Sequence, residues 1–260
     1  RYCEARVWSY FNMFTTRGNE FLPYILGDID TPMPLFVKPD RKISVQDVKN
    51  AMRDHYEGTP LDISKDFGAG PYHTPYRLSP LSFKVGDKEY FNERPISTQQ
   101  SGFVFVAQMR STLPDAIGGV LWFGTDDANM TVFTPVYCCT DKVPVCYSRV
   151  DGADYITFSW NSSFWIFNWV SNMVYPRYDL MIGDVRATQN ELETTFNEAQ
   201  EGIESAAAKL LEKDPAKAKA FLTNYTNMTA QSAFDTWKRL GEFIIVKYND
   251  GVVRKMKDGK

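Results

Sequence analysis

The sequence is poor in histidine and cysteine, and it contains no long apolar run. Two histidines and four cysteines in 260 residues give little material for a metal centre, and neither histidine is near the cysteines, so we expect no metal and no cofactor. The most apolar window, residues 164–175, contains Asn168, Ser171 and Asn172. It is also shorter than the roughly 18 residues that a bilayer span needs, so we expect no membrane span.

An excess of either charge is also missing. The chain has 29 basic and 32 acidic residues, a net charge of −3, and its basic run at residues 254–260 is typical of a solvated tail. Proteins that bind nucleic acid generally present a clustered basic face, so we expect no nucleic-acid partner. With 43% hydrophobic residues, the chain can bury a substantial core.

Both histidines are in one segment that is rich in carboxylates, glycines and prolines, residues 51–77, which reads AMRDHYEGTPLDISKDFGAGPYHTPYR. Glycine and proline at this density prevent regular secondary structure and fix the backbone, which is typical of a loop that presents side chains to a site. Hydrogen bonding within the loop is the alternative use of the same polar groups, and the pattern leaves both open. The candidate substrate-binding or site-supporting residues are His55, Glu57, Thr59, Asp62, His73 and Arg77.

The rest of the pattern predicts an α+β fold. Helices are indicated at residues 3–15 and 44–56, the second with Ser44 and Asp47 as a capping box. A charged, alanine-rich helix over 184–213 ends at Asp214 and Pro215, and a partner helix runs from 216 to 240. Gly241 is predicted to end that helix, before a last strand at 242–248. Four antiparallel strands are predicted between them, at 103–109, 118–124, 131–137 and 143–148.

Several residues outside the loop allow more than one interpretation. Cys138 or Cys139 could pair with Cys146 across a turn, and such a disulfide would slightly favour an exported protein over a cytoplasmic one. Asp126 and Asp127 follow a strand, where a turn is the more common role and a place in the site the weaker one. The aromatic residues between 158 and 169 favour core packing over a binding platform.

The chain resembles the dipeptidase A and secernin-type cysteine dipeptidases, which are N-terminal-nucleophile hydrolases. The resemblance begins with His55, Glu57, Gly58, Thr59 and Asp62, and continues through Gly70, Pro71 and the Pro75–Tyr76–Arg77 triplet. It extends in the family's order over most of the chain, at residues 4–8 (EARVW), 94–97 (RPIS), 106–114 (VAQMRSTLP), 120–124 (VLWFG) and 163–178 (SFWIFNWVSNMVYPRY), and at Glu191 and Glu193.

The resemblance implies part of an αββα sandwich, with residues 1–97 holding helices and the loop, 98–157 the strands, and 158–260 helices and a final strand. It also implies a cysteine-type dipeptidase that cleaves short peptides through an acyl-enzyme. Family members use an amino-terminal cysteine, and Cys3 lacks that context, so we expect the nucleophile to lie upstream, in a missing amino-terminal half, and this chain alone to be inactive. Cys3 is interpreted as incidental.

Two alternatives to a dipeptidase remain at this point. The chain could be a noncatalytic interaction module that offers helices 184–240 to a partner, or an amidase of the same fold that acts on another acyl-amide. If apolar surface is left uncovered, the chain could also form a homo-oligomer.

Overall fold

The computed structural model describes residues 3–77, 82–91 and 93–256, which form two compact units, residues 1–99 and 100–260. The described residues form an α+β fold with two small antiparallel sheets. No helix in this part of the chain has both the length and the apolar character that a membrane crossing requires.

The first unit is built on short helices. Its elements are α1 (Glu4–Phe14), α2 (Leu22–Leu26), α3 (Val45–Ala51) and the hairpin strands β1 (Ser82–Val85) and β2 (Lys88–Phe91), with 3₁₀ helices at Thr16–Phe21 and Phe67–Tyr72. The core is a cluster of buried side chains that joins α1 and α2 to the segment that follows α3. Its members are Ala5, Trp8, Tyr24, Ile25, Tyr56 and Ile63.

Helix α3 begins where the sequence predicts it. The Ser44 hydroxyl accepts a hydrogen bond from the Asp47 amide, and the Asp47 carboxylate accepts one from the Ser44 amide, so the predicted capping box is confirmed. The helix ends at Ala51, five residues before the predicted end. The polypeptide then enters the loop with Asp54, His55 and Tyr56 already buried.

The second unit packs a three-stranded sheet against long helices. Its elements are β3 (Phe103–Met109), α4 (Asp115–Gly118), β4 (Gly119–Thr125), β5 (Thr134–Tyr137), α5 (Ser163–Val174), α6 (Tyr178–Lys213) and α7 (Pro215–Tyr248). The strand order is β3-β4-β5 and both pairs are antiparallel, as predicted. Alternation along β3 buries Val104 and Val106 on one face of the sheet and exposes Phe103, Phe105 and Met109 on the other.

Helices α6 and α7 form a hairpin with Asp214 at the corner. The Asp214 carboxylate accepts hydrogen bonds from the amides of Ala216 and Lys217, so it caps α7 directly after α6 ends. The far ends of the two helices meet where Lys247 forms an ion pair with Asp184 at 2.8 Å. The predicted break between these helices is therefore confirmed.

Two predicted strands are wrong. Residues 145–147 form a 3₁₀ helix, and residues 242–248 continue α7 to Tyr248. Gly241 lies inside α7, at a position where a β-carbon would come within 2.3 Å of the Trp169 ring. The glycine permits close packing of α5 on α7 and does not end the helix.

The structure also tests the predicted disulfide and the predicted core packing of the aromatic residues between 158 and 169. All four thiols are free, so neither candidate disulfide with Cys146 is formed. Phe167 is buried and stacks on Trp237 with ring centroids 4.7 Å apart, as core packing predicts. Phe158 and Trp160 are 46% and 50% exposed, because they belong to the surface loop before α5.

Candidate functional site

The residues predicted for the site all lie in the first unit, on the segment 54–77, which we call the polar loop. Tyr56 and His73 adopt left-handed backbone conformations, with φ of 65° and 50°, and Gly58 and Gly70 have φ of 76° and 66°. A side chain with a β-carbon is disfavoured at such angles, so the loop stores conformational strain at two positions where it turns. Strain of this kind persists where surrounding contacts fix the backbone.

His55 and Glu57 form a pair at the start of the loop. The Glu57 carboxylate accepts a 2.6 Å hydrogen bond from the His55 amide, and its second oxygen lies 3.1 Å from His55 Nδ1. Burial acts to raise the pKa of Glu57, but the hydrogen bonds and charge of His55 outweigh it and hold that pKa below its ordinary value. The imidazole is fully buried, whereas the Glu57 side chain is 48% exposed. Glu57 is thus an ionised carboxylate in a fixed position that solvent can reach.

The other ring nitrogen of His55 is buried without a hydrogen bond in the part of the chain that the structure describes. His55 Nε2 is buried and has no hydrogen-bond partner among the described residues, and the ring packs edge-on against Tyr76 with centroids 5.1 Å apart. The preceding residue, Asp54, is also buried and accepts a 2.6 Å hydrogen bond from the Ser9 hydroxyl. Burial raises the pKa of Asp54 despite that bond, and the charge of Glu57 adds to the effect.

Asp62 organises the next turn of the loop. One of its oxygens accepts from the Gly58 amide at 3.0 Å, and the other from the amide and hydroxyl of Ser64 at 3.0 and 2.5 Å. Burial acts to raise the pKa of Asp62, but these bonds and Lys65 hold it below its ordinary value. Thr59 has a similar local role, because its hydroxyl donates to the Tyr56 carbonyl and accepts from the Leu61 amide.

Arg77 closes the loop from the other end. Its guanidinium donates to the carbonyls of Ile63, Thr74 and Tyr76 and pairs with the Asp66 carboxylate. The side chain is 14% exposed and packs over Gly68, where a β-carbon would come within 2.7 Å of the guanidinium. His73 is less enclosed, with Nδ1 3.3 Å from the Ser64 carbonyl. All six predicted residues therefore lie on the polar loop, where His55 and Glu57 contact each other and the other four bond to different parts of the loop, with different degrees of access.

The second unit contains a polar cluster to which the sequence pattern gives little weight. We call this cluster the acidic turn (Asp126–Asn129). Asp126 follows β4 with φ of 72°, so the predicted turn is present, yet Asp126, Asp127 and Asn129 are all fully buried. The Asp126 carboxylate accepts hydrogen bonds from Asn168 at 2.8 Å and Ser171 at 2.6 Å, both on α5. Burial raises the pKa of Asp126 to about 7, and the neighbouring charge of Asp127 adds to this effect.

Side chains of helix α6 hold Asn129, the last residue of the turn. Asn129 donates to the Tyr178 hydroxyl at 3.0 Å, its side-chain oxygen accepts from Arg186, and its carbonyl accepts from Arg186 and Gln189 at 2.9 Å each. Buried charge and amide groups at this density require partners on several elements. In the sequence, the acidic turn is marked by two adjacent carboxylates at a strand end and by later polar residues on α5. This pattern is too common to identify the turn as a site.

Neither cluster resembles a metal centre. No group of three histidine, cysteine or carboxylate residues within the described part of the chain is placed to hold an ion. The carboxylates of both clusters are instead satisfied by amide, hydroxyl and guanidinium donors, which is chemistry suited to fixing side chains or receiving a polar ligand.

Known proteins resemble the chain across both units. It is 27% identical over 247 residues to the probable dipeptidase B of Lactococcus lactis, an alignment that covers 91% of this chain and 45% of that protein. It is 32% identical over 136 residues to a probable dipeptidase of Salmonella dublin, covering 52% and 26%. Dipeptidase A of Lactobacillus helveticus is 26% identical over 166 residues, covering 64% and 29%. The chain thus spans less than half the length of these relatives.

A family model gives the same relationship independently of any one relative. Residues 1–191 of the 260 match the model of peptidase family C69, a range that includes the polar loop, the sheet and the acidic turn. The chain therefore belongs to peptidase family C69.

Proposed function

We propose that this chain is part of a dipeptidase that hydrolyses the amide bond of short peptides through an acyl-enzyme, with a nucleophilic cysteine that lies outside the 260 residues. Membership of peptidase family C69 and the similarity to proteins named as dipeptidases carry the proposal. The chain supplies the substrate-binding or supporting elements of the full-length enzyme, which is an N-terminal-nucleophile hydrolase with an αββα sandwich. The exposed apolar face of β3 is suited to contact a second sheet.

The thiols of this chain support a nucleophile elsewhere. The thiolate is the reactive form of cysteine, and burial raises the pKa of Cys139 and raises that of Cys146 to about 12. Cys3 is exposed and its sulfur lies 3.1 Å from the Arg6 guanidinium, which has no site to accept a proton. The thiols of Cys139 and Cys146 are therefore held in the unreactive protonated form, and Arg6 cannot serve as the base for Cys3.

Within the polar loop, we assign the amino-terminal ammonium of the substrate to Glu57. A carboxylate that is ionised, half exposed and fixed by two contacts with His55 can accept a charge-assisted hydrogen bond without first being ordered. Asp62 and Arg77 have their polar atoms engaged inside the loop, and Thr59, His73 and His55 support its shape. His55 holds Glu57 in place, and we assign the other four residues a supporting role in the loop.

The test of the dipeptidase is hydrolysis of dipeptides by the full-length gene product and by the 260-residue chain, each with and without a thiol-alkylating reagent. We expect activity in the full-length product only, and its loss on alkylation. Activity in the short chain that disappears in Cys3→Ser would refute the external nucleophile. Absence of activity in both would favour the noncatalytic module or an amidase with another substrate.

The role of Glu57 is tested in the full-length product with Glu57→Gln. Losing a charge-assisted bond should raise KM for dipeptides with a free amino terminus about tenfold or more, while N-acetylated dipeptides should distinguish the variant from the wild type only weakly. Glu20→Gln, at an exposed carboxylate on the same unit, is the matched control. Equal effects of Glu57→Gln on both substrate types would argue against this assignment.

A further inference from the structure

The two edges of the β3-β4-β5 sheet differ in whether side chains bond to their outward-facing backbone N–H and C=O groups. At the β5 edge, Thr226 on α7 donates to the Pro135 carbonyl and accepts from the Tyr137 amide, each at 3.3 Å. Pro135 itself has no amide hydrogen. Glu193 on α6 accepts from the amide of Phe133 at 2.9 Å, immediately before the strand. Side chains from two helices thus occupy the backbone groups of this edge, which closes it to another strand.

The β3 edge has no such cover in the part of the chain that the structure describes. The register pairs Val104 with Gly124 and Val106 with Trp122, and the bonds Arg110 N–H to Gly118 O and Asp126 N–H to Gly102 O continue it at both ends. Antiparallel pairing alternates, so the even-numbered residues of β3 bond to β4 and the odd-numbered ones face the open edge. The N–H and C=O groups that face outward belong to Phe103, Phe105, Ala107 and Met109.

The open edge also lacks the features that keep strand edges apart. Its sequence, FVFVAQM, contains no charge, no proline and no glycine over seven residues. The side chains of its outward-facing residues are exposed, with Phe103 at 62%, Phe105 at 49% and Met109 at 64%. Natural edge strands are commonly shortened, charged or bulged to prevent pairing, so an uncharged seven-residue edge is a template for an added strand.

We propose that the open edge of β3 takes a further β-strand from the part of the full-length polypeptide that lies outside these 260 residues. The sheet would then continue from this chain into that part. This inference rests on the proposed function, since it requires the longer protein. More than half of the length of the probable dipeptidase B of L. lactis lies outside its alignment with this chain, which is ample polypeptide for such a strand.

The chemistry of the edge specifies the added strand. It must offer its own alternate N–H and C=O groups to Phe103, Phe105, Ala107 and Met109, and its residues beside them must be apolar to continue the exposed face of the sheet. Phe103 already stacks on Phe123 of β4 with centroids 6.0 Å apart, so this apolar face extends across two strands before the third is added. A charged peptide has no counter-charge along β3 and is not the occupant.

Amide hydrogen exchange, resolved by residue, tests the added strand. In the 260-residue chain alone, we expect the amides of Phe103, Phe105, Ala107 and Met109 to exchange at least about a hundredfold faster than those of Val104, Val106 and Gln108, which bond to β4. In the full-length gene product the two sets should be protected to within about tenfold. Rapid exchange of the odd-numbered set in the full-length product would overturn the proposal.

A proline substitution separates strand addition from simple burial. In the full-length product, Ala107→Pro removes an outward amide and should increase exchange at Phe105 and Met109 by at least about tenfold, whereas Ala107→Val keeps the amide and should not. Val104 and Val106 should stay protected in both variants, which shows that the pairing with β4 survives. Equal exchange in the two variants would overturn the proposal.

Two further outcomes distinguish this proposal from its alternatives: the first would overturn it, and the second would overturn only the proposed function. If the 260-residue chain alone shows protection of the odd-numbered amides that grows with its concentration, together with a dimer on size exclusion, the occupant is a second copy. If the protection pattern is as expected but the full-length product hydrolyses no dipeptide, the added strand stands and the proposed function fails. Exchange and activity therefore report on the two proposals separately.

Discussion

The polar loop and the acidic turn satisfy their carboxylates in opposite ways. In the loop, Asp62 receives amide and hydroxyl donors from residues two and four positions away, and its pKa falls. In the turn, Asp126 receives donors 42 and 45 positions away on α5, and burial raises its pKa to about 7. Local hydrogen bonds favour the ionised form of a carboxylate, whereas complete burial favours the neutral form even when donors are present.

The first way to break this comparison is to delete the buried carboxylate. Asp126→Ala leaves the buried Ser171 donor and the half-buried Asn168 donor without their acceptor, so we expect a loss of about 2–4 kcal/mol in the free energy of unfolding. Urea denaturation measures it, with Asp115→Ala, at an exposed position of the same unit, as the control. A loss below about 0.5 kcal/mol for Asp126→Ala would show that the turn is not stabilised by these bonds.

The second prediction concerns pH. The folded pKa of Asp126, about 7, lies above its ordinary value of 3.8, so between these values the native state holds a proton that the unfolded chain has released. The contribution of Asp126 to stability is therefore fully present below about pH 4 and is lost as the pH rises to 7, by up to about 1.4 kcal/mol per pH unit. Asp126→Asn should abolish that slope.

Unfolding free energies of the wild type and Asp126→Asn, measured at several values between pH 4 and 8, give the slope as a difference. The subtraction removes groups common to both proteins, including Asp54, whose pKa is also raised. A difference that is constant over this range would mean that Asp126 is ionised throughout, contrary to the effect of its burial.

The same contrast between local and long-range contacts explains which parts of the fold and of the candidate site can be predicted from the sequence. The Ser44–Asp47 cap and the polar loop depend on residues close together in the sequence, and residue type and spacing identified both. The sequence pattern predicts Gly241 as a helix end, but its role is set by Trp169 on another helix, 72 positions earlier. The network around Asp126 likewise exists only after α5 packs on the sheet. Neither Trp169 nor the partners of Asp126 on α5 can be identified from the local sequence pattern.

The third prediction deletes the carboxylate that organises the loop. Asp62→Ala removes the acceptor for the Gly58 and Ser64 amides, and because water can reach part of this loop, we expect a smaller loss of about 1–2 kcal/mol. The pKa of Asp62 is lowered, so its contribution is present above the ordinary value and is lost as the pH falls through the folded pKa, opposite to Asp126. Urea denaturation measures the loss, and exposed Asp28→Ala is the control.

The fourth prediction, which has the smallest expected effect, tests whether the charge of Lys65 or the amide hydrogen bonds hold Asp62 in the loop. Lys65 lies 3.1 Å from Asp62 but is 71% exposed, so Lys65→Ala should cost less than about 0.5 kcal/mol and less still in high salt, because solvent and ions screen an exposed pair. Urea denaturation at low and high salt measures it. If Lys65→Ala costs as much as Asp62→Ala, the ion pair holds the turn. If it costs little, the amides of Gly58 and Ser64 hold Asp62, and the loop keeps its shape through bonds that salt does not weaken.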